Sequence, residues 1–148
     1  SAIPANTYGP NDCFDPQKSH VIPALIMKYH QAKLLEQPAV ELWGTGKAMR
    51  EFLFVDDLAD GCIFLMKHYS GSEPVNMGAG NEISILELSK IIQKIVGYRG
   101  EIVCDPSKPD GMPRRMLDSR RIHCLGWHAV TNIETGLQKV YDAYCKRF

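Results

Sequence analysis

Residues 40–57, Val-Glu-Leu-Trp-Gly-Thr-Gly-Lys-Ala-Met-Arg-Glu-Phe-Leu-Phe-Val-Asp-Asp, constrain the fold more than any other stretch. An apolar strand ends at Trp43 and a Gly44-Thr45-Gly46 turn follows. A second apolar run then closes on Asp56-Asp57, whose carboxylates suit the positive end of a helix dipole. Arg50, fixed between the two strand-like segments, is placed to grip a phosphate or carboxylate in bidentate fashion. Trp43 offers a flat face to a base or sugar. The same spacing fits a plain β-hairpin in which Arg50 pairs with the neighbouring Glu51.

The rest of the chain sets limits. Its 148 residues make one domain, long enough to bury a core. Seventeen basic residues balance seventeen acidic ones, so no global field favours nucleic acid or a membrane surface. No apolar run approaches the roughly 20 residues that span a bilayer. The five cysteines, Cys13, Cys62, Cys104, Cys124 and Cys145, contain no C-x-x-C pair and read as reduced thiols in a cytoplasmic protein. The first residue is Ser, and Ile3-Pro4-Ala5-Asn6 reads as a strand already ending; a segment of something longer is expected.

Periodicity and capping signals give an α/β pattern. Ser19 is placed to cap a helix through about Leu34, with Pro23 in its first turn. A second helix runs from Asp56 to about Tyr69, with Leu58, Cys62, Leu65 and Met66 on one face. Pro74–Met77 and Glu101–Cys104 read as strands. Ser84-Ile85-Leu86-Glu87 is a capping box whose helix ends at Gly97, and Thr131-Asn132-Ile133-Glu134 reads as another, opening a terminal helix. A short helix over Ser119–Leu125 and a Pro/Gly-rich loop over Asp105–Pro113 complete the pattern. Short strands scattered among helices imply a small α/β lobe, not a complete doubly wound sheet.

Several motifs carry little. Gly44-x-Gly46 and Gly78-x-Gly80 each lack the third glycine of a dinucleotide fingerprint. Tyr29 and Lys33 have the Tyr-x-x-x-Lys spacing of a catalytic dyad, but Tyr29 falls on the apolar face of its helix. The histidines form no Cys/His ligand set, so no metal site is expected. Arg114, Arg115, Arg120 and Arg121 cluster without a nucleic-acid motif and read as a solvated face.

Three places hold chemical promise. Pro4–Pro10 turns sharply after a strand, where backbone amides and Asn6 meet a ligand at a sheet's carboxyl edge or form an ordinary turn. His20 stands at a helix start, which disfavours imidazolium and suits proton transfer; a satisfied structural histidine is the plainer alternative. Ser107–Arg115 is a stiff loop in which Asp110 suits a sugar hydroxyl or base and Arg115 a phosphate, unless it is only a solvent-exposed connection.

Taken together these segments resemble the carboxy-terminal part of the extended short-chain dehydrogenase/reductases that act on nucleotide-sugars. The likeness is carried by Asn6-Thr7-Tyr8-Gly9-Pro10-Asn11-Asp12, Ser19-His20-Val21-Ile22-Pro23-Ala24-Leu25, Leu42-Trp43-Gly44-Thr45-Gly46 and Met49-Arg50-Glu51-Phe52. It continues through Val55-Asp56-Asp57, Asn76-Met77-Gly78-Ala79-Gly80, Ser107-Lys108-Pro109-Asp110-Gly111 and Leu125-Gly126-Trp127, in the family's order over nearly the whole chain. The Trp-Gly-x-Gly, Arg-Glu-Phe and Asp-Asp elements are shared widely among sugar-nucleotide dehydratases and epimerases. Ser19–Pro23 and Ser107–Gly111 narrow the likeness to the branch that epimerises and reduces GDP-4-keto-6-deoxymannose.

The resemblance implies a small mixed α/β substrate-binding lobe with the Rossmann half absent. Residues 1–148 are then a single domain, and residues 1–20 lie at the edge of an NADP-binding domain. It implies that Pro4, Ala5, Asn6 and Thr7 lie along the nicotinamide end of NADP. His20 reaches sugar and cofactor as general acid of the epimerisation, with a cysteine from the other half. Lys28, Trp43, Arg50 and Asp110 line the GDP-sugar site, with Arg115 a further candidate. Lys28 in place of the Arg of bacterial relatives keeps the charge but loses the bidentate fork. The glycine-rich NADP loop, the Ser-Tyr-Lys triad and the epimerisation cysteine belong to the amino-terminal half; Cys13 is no substitute. The expected partners are a GDP-sugar and, for the longer protein, a second copy of itself, with no nucleic acid and no membrane. The alternatives are another nucleotide-sugar epimerase or dehydratase, or a nucleotide-sugar-binding module without chemistry.

Overall fold

The computed structural model describes residues 1–148. Along the chain run β1 (Ala2–Pro4), β2 (Asn6–Tyr8), α1 (Val21–Leu34), β3 (Ala39–Trp43), β4 (Met49–Arg50), β5 (Phe52–Phe54) and α2 (Val55–His68). Then follow β6 (Val75–Met77), β7 (Ile83–Ser84), α3 (Ile85–Val96), β8 (Glu101–Asp105), β9 (Arg114–Arg115), α4 (Arg120–Cys124) and α5 (Ile133–Arg147). This is the mixed α/β lobe expected from the sequence. Three strand pairs are parallel, β1 with β6, β2 with β5 and β3 with β8. A three-stranded sheet has the order β7-β4-β9, with β4 antiparallel to β7 and parallel to β9.

The hairpin reading of residues 40–57 fails. β3 pairs with β8, β5 pairs with β2, and β4 sits between β7 and β9, so the segments flanking the Gly44–Gly46 turn diverge into different sheets. Gly44 and Gly46 supply the redirection with positive φ, +79° and +71°. A Cβ on Gly46 would also lie 2.9 Å from Leu86 Cβ, so the turn packs against the start of α3.

β5 divides the interior in two. Its alternating side chains send Phe52 and Phe54 into a core built with α1, α3 and α5, and Leu53 into a smaller one. The larger core includes Ile22, Ile26 and Tyr29 from α1, Leu88 and Ile92 from α3, and Leu137 and Val140 from α5. The smaller one packs Leu53 with Leu65, Val75, Met77, Ile122 and Trp127.

Helix boundaries follow capping chemistry. The Ser84–Glu87 capping box forms in both directions, and α3 ends on Gly97 in the left-handed conformation. Two caps move by one residue. Asn132, not Thr131, caps α5 by accepting from Thr135 N–H at 2.8 Å, and Thr131 N–H instead donates to Asp57. At α1 the N-cap is His20, and Ser19 belongs to the preceding turn, its N–H bonded to Asp15 O. In α2 Leu58, Cys62 and Leu65 pack on the smaller core beside the buried Asp57 and Gly61, whereas Met66 is 86% exposed. The helix is pressed closest at Gly61, where a Cβ would approach Met77 Cε to 2.4 Å and the Trp127 ring to 2.9 Å. The small residue marks the contact, and Met66 points away.

Candidate functional site

The start of α1, the β2 strand, the β3–β4 segment, the loop after β8 and β9 enclose a cavity of about 570 Å³. Seven of the residues expected at a site line it: Asn6, Thr7, His20, Trp43, Arg50, Asp110 and Arg115. Pro4, Ala5 and Lys28 are not in its lining. Pro4 is exposed at the end of β1, and Ala5 N–H donates to Met77 O. Lys28 Nζ reaches Glu41 O at 2.6 Å, tying α1 to β3.

Two guanidiniums define the charge of this cavity. Strands β4 and β9 run parallel in a register that sets Arg50 beside Arg115. The protein holds two ion pairs, Arg114–Glu82 and Arg120–Asp118, and neither involves Arg50 or Arg115. Arg50 Nη1 donates only to Met49 O, at 2.8 Å. The anticipated pairing of Arg50 with Glu51 is absent. The four-arginine cluster is therefore split: Arg115 faces the cavity, Arg114 and Arg120 are ion-paired, and Arg121 donates to Pro74 O.

Glu51 does something else, which the sequence reading missed. It is fully buried, and its carboxylate accepts from Gly80 N–H at 2.9 Å and Leu117 N–H at 3.0 Å. Its carbonyl accepts from Asn6 Nδ2 at 2.8 Å. One residue thus ties β2, the loop after β6 and the segment after β9 to the position next to Arg50. The signal was an acid between Arg50 and the apolar run Phe52-Leu53-Phe54, where a strand buried on both faces leaves no route to water.

His20 sits at the N-cap of α1 with extended backbone, φ −72° and ψ 173°, and its side chain makes no capping bond. The ring lines the cavity with its nitrogens uncommitted to the helix. Trp43 is 62% exposed at the rim, and Lys108 Nζ stands 5.9 Å from its ring centroid. Asp110 accepts from Thr45 twice, from N–H to Oδ1 at 2.7 Å and from Oγ1 to Oδ2 at 2.8 Å. These bonds hold its carboxyl below the usual carboxylate range.

Tyr29 and Lys33 stay outside the cavity. Tyr29 is fully buried against Ser89, with 2.5 Å between the hydroxyls, and Lys33 Nζ caps α3 at Val96 O. Both are structural.

Three parallel strand pairs flanked by helices, with one cavity gathering residues from separate segments, define a mixed α/β protein. Residues 1–78 match the model of the NAD dependent epimerase/dehydratase family, and the chain belongs to that family. The probable GDP-L-fucose synthase 1 of Oryza sativa subsp. japonica is 51% identical over 97% of this chain and 44% of its own length. The GDP-L-fucose synthase of Escherichia coli K12 is 45% identical, over 96% of this chain and 47% of its own length. The chain therefore spans about half the length of these curated relatives. Among solved structures, a GDP-6-OMe-4-keto-L-xylo-heptose reductase from C. jejuni superposes with a TM-score of 0.93 at 32% identity, covering 99% of this chain and 53% of that one. A GDP-L-fucose synthetase from Naegleria fowleri bound to NADP superposes with a TM-score of 0.91 at 26% identity, over 99% of this chain and 46% of that one.

Proposed function

We propose that this chain is the GDP-sugar-binding part of a GDP-L-fucose synthase. That enzyme converts GDP-4-keto-6-deoxy-D-mannose to GDP-L-fucose by 3,5-epimerisation and NADPH-dependent 4-reduction. The observation that carries the reading is the unpaired couple Arg50 and Arg115, side by side on β4 and β9 in one cavity. Like charges on neighbouring strands repel, and a diphosphate between them turns that repulsion into two charge-assisted contacts. Trp43 at the rim suits a base or sugar face. The relatives, named GDP-L-fucose synthases, supply the nucleotide and the sugar.

The chemistry fits the side chains. A 4-keto group acidifies the hydrogens at C3 and C5, so an acid and a base inverting those centres work through enolate intermediates. His20 holds a proton at the cavity's edge and delivers it to one face of the ring. Arg50 and Arg115 anchor the diphosphate, and that remote binding holds the sugar in register for both steps. Asn6 and Thr7, following β1 at the carboxyl edge, suit the nicotinamide end of NADP, with Pro4 and Ala5 leading into them. When bound, the cofactor supplies the hydride that reduces the ketone. On this reading residues 1–148 form the substrate-binding domain, residues 1–20 border the cofactor domain, and the longer protein works as a cytoplasmic homodimer. The fragment alone is inactive.

Calorimetric titration of the 148-residue chain with GDP and with UDP tests the reading. Saturable binding that prefers GDP, and that Arg50→Ala weakens by about 1–3 kcal/mol, supports it. Equal binding of both nucleotides, or indifference to Arg50→Ala, counts against it.

A further inference from the structure

The loop between β8 and β9 brings Asp110 to the cavity and is tied at two places, by Met49 N–H donating to Pro113 O near its end and by Asp110 at its middle. Thr45 donates both its N–H and its hydroxyl to Asp110, one to each carboxylate oxygen. The turn is shaped around this contact, since a Cβ on Gly44 would lie 2.2 Å from Asp110 Oδ1. Two further points of the loop touch the site. Lys108 Nζ stands over the Trp43 ring, and a Cβ on Gly111 would lie 3.6 Å from Arg50 Nη2. Trp43, Thr45 and Arg50 therefore all meet this one loop.

We propose that Asp110 is a positioning residue whose pair of hydrogen bonds from Thr45 straps the loop across the cavity mouth, fixing Trp43 and Arg50 for a nucleoside diphosphate. The inference rests on the nucleotide-sugar reading of the cavity. It adds a positioning role to the sequence expectation that Asp110 contacts the ligand. Each oxygen takes one bond from Thr45 and keeps a second acceptor site, so the strap and a ligand hydroxyl can share the carboxylate. The strap acts without closing further: it sets the aperture before the ligand arrives, so less order is imposed on binding.

The test uses the 148-residue chain and separates the strap from the ligand. Amide hydrogen exchange at residue 45 and at residues 107–111 is followed by NMR without any ligand, and GDP affinity is measured by calorimetry. Thr45→Val removes the hydroxyl donor while leaving Asp110 intact; Thr45→Ser keeps it. Expected are faster exchange in Thr45→Val, GDP binding weakened about 2- to 10-fold, and recovery of both in Thr45→Ser. Unchanged exchange in Thr45→Val overturns the strap. So does full GDP affinity in Thr45→Val beside its loss in Asp110→Asn, which makes Asp110 a ligand contact. If the unaltered chain binds no GDP, the nucleotide-sugar reading fails and the exchange measurement alone decides the strap.

Discussion

Arg50 and Arg115 are register partners on adjacent parallel strands, and neither guanidinium has a carboxylate partner. In the free protein the two charges repel; with a bound diphosphate each gains a charge-assisted contact. The arrangement predicts effects of opposite sign. Arg115→Ala leaves the unliganded chain as stable or slightly more stable in urea unfolding, and weakens GDP binding by about 1–3 kcal/mol. Added salt erodes the binding of the unaltered chain more than that of the variant. A variant that loses stability and binds GDP normally contradicts the clamp.

Glu51 is expected to matter through packing and hydrogen bonds. Its carboxylate is fully buried and satisfies Gly80 N–H and Leu117 N–H. Glu51→Ala leaves both donors orphaned beside a cavity, at a cost of about 2–5 kcal/mol. Glu51→Gln keeps one acceptor but turns an N–H₂ toward one of the donors, and costs less. Urea unfolding of the two variants gives the order Ala below Gln below unaltered protein; equal midpoints for all three contradict it.

Capping separates two neighbouring residues. Asn132 accepts from Thr135 N–H, whereas Thr131 contributes its backbone N–H to Asp57. Asn132→Ala is expected to cost about 1 kcal/mol and Thr131→Ala well under half of that. Thermal unfolding of the pair decides between them, and the reverse order would restore Thr131 as the cap.

That one-residue shift illustrates what the sequence holds and what it leaves out. Helix α3 was legible end to end, because the Ser84–Glu87 box, the apolar period and Gly97 are all local signals. The cavity residues were legible as separate motifs on the likeness that links them. The pairings that gather them were not. Strands β4, β7 and β9 are two residues long, too short for any period, and their sheet exists only through contacts between distant segments. One position of α2 was misplaced for a related reason. Leu58, Cys62 and Leu65 do pack on the smaller core, but Met66 falls outside it, because the helix is centred on Gly61, where Met77 and Trp127 press against it. Asp57 was read as a dipole charge, while its carboxylate in fact receives the Val130 and Thr131 N–H groups.

Acid acts on exposed carboxylates that the fold has pulled low. The Arg120 guanidinium beside Asp118 holds its carboxyl down at about 2, and Thr45 and Ser84 depress Asp110 and Glu87. A carboxyl depressed on folding stabilises the protein fully above its unfolded value, near pH ~4, and loses that contribution as pH falls toward the folded one. The stability difference between the unaltered chain and Asp118→Asn is therefore constant from about pH 7 to about pH 5 and shrinks between about pH 4 and pH 2. Urea midpoints at stepped pH follow it. A difference that grows on acidification reverses the sign and removes the explanation.

Tyr8 and Gly136 bring the packing of the larger core to the cavity. Tyr8 is buried, stands edge-on to Phe54 with centroids 5.5 Å apart, and also lines the cavity. Gly136 lies in the first turns of α5, where an alanine would ordinarily help the helix by about 0.5–1 kcal/mol. Here a Cβ would fall 2.1 Å from Tyr8 Oη and 2.9 Å from its Cζ. The phenol has Phe52 and Phe54 around it and open space on two sides, in the ligand cavity and in a second cavity beside Ile83 and Ile133. Overpacking of this kind costs about 1–3 kcal/mol, so Gly136→Ala is expected to lower stability despite the helix gain. A calorimetric titration with GDP tells where the ring goes: weakened binding means it has moved into the ligand cavity. Tyr8→Phe removes the nearest clash but leaves Cζ at 2.9 Å, so it is expected to recover part of the stability loss in the double variant, a coupling that a double-mutant cycle in urea reads directly. Additive losses would mean that Gly136 is required for the helix and not for the tyrosine.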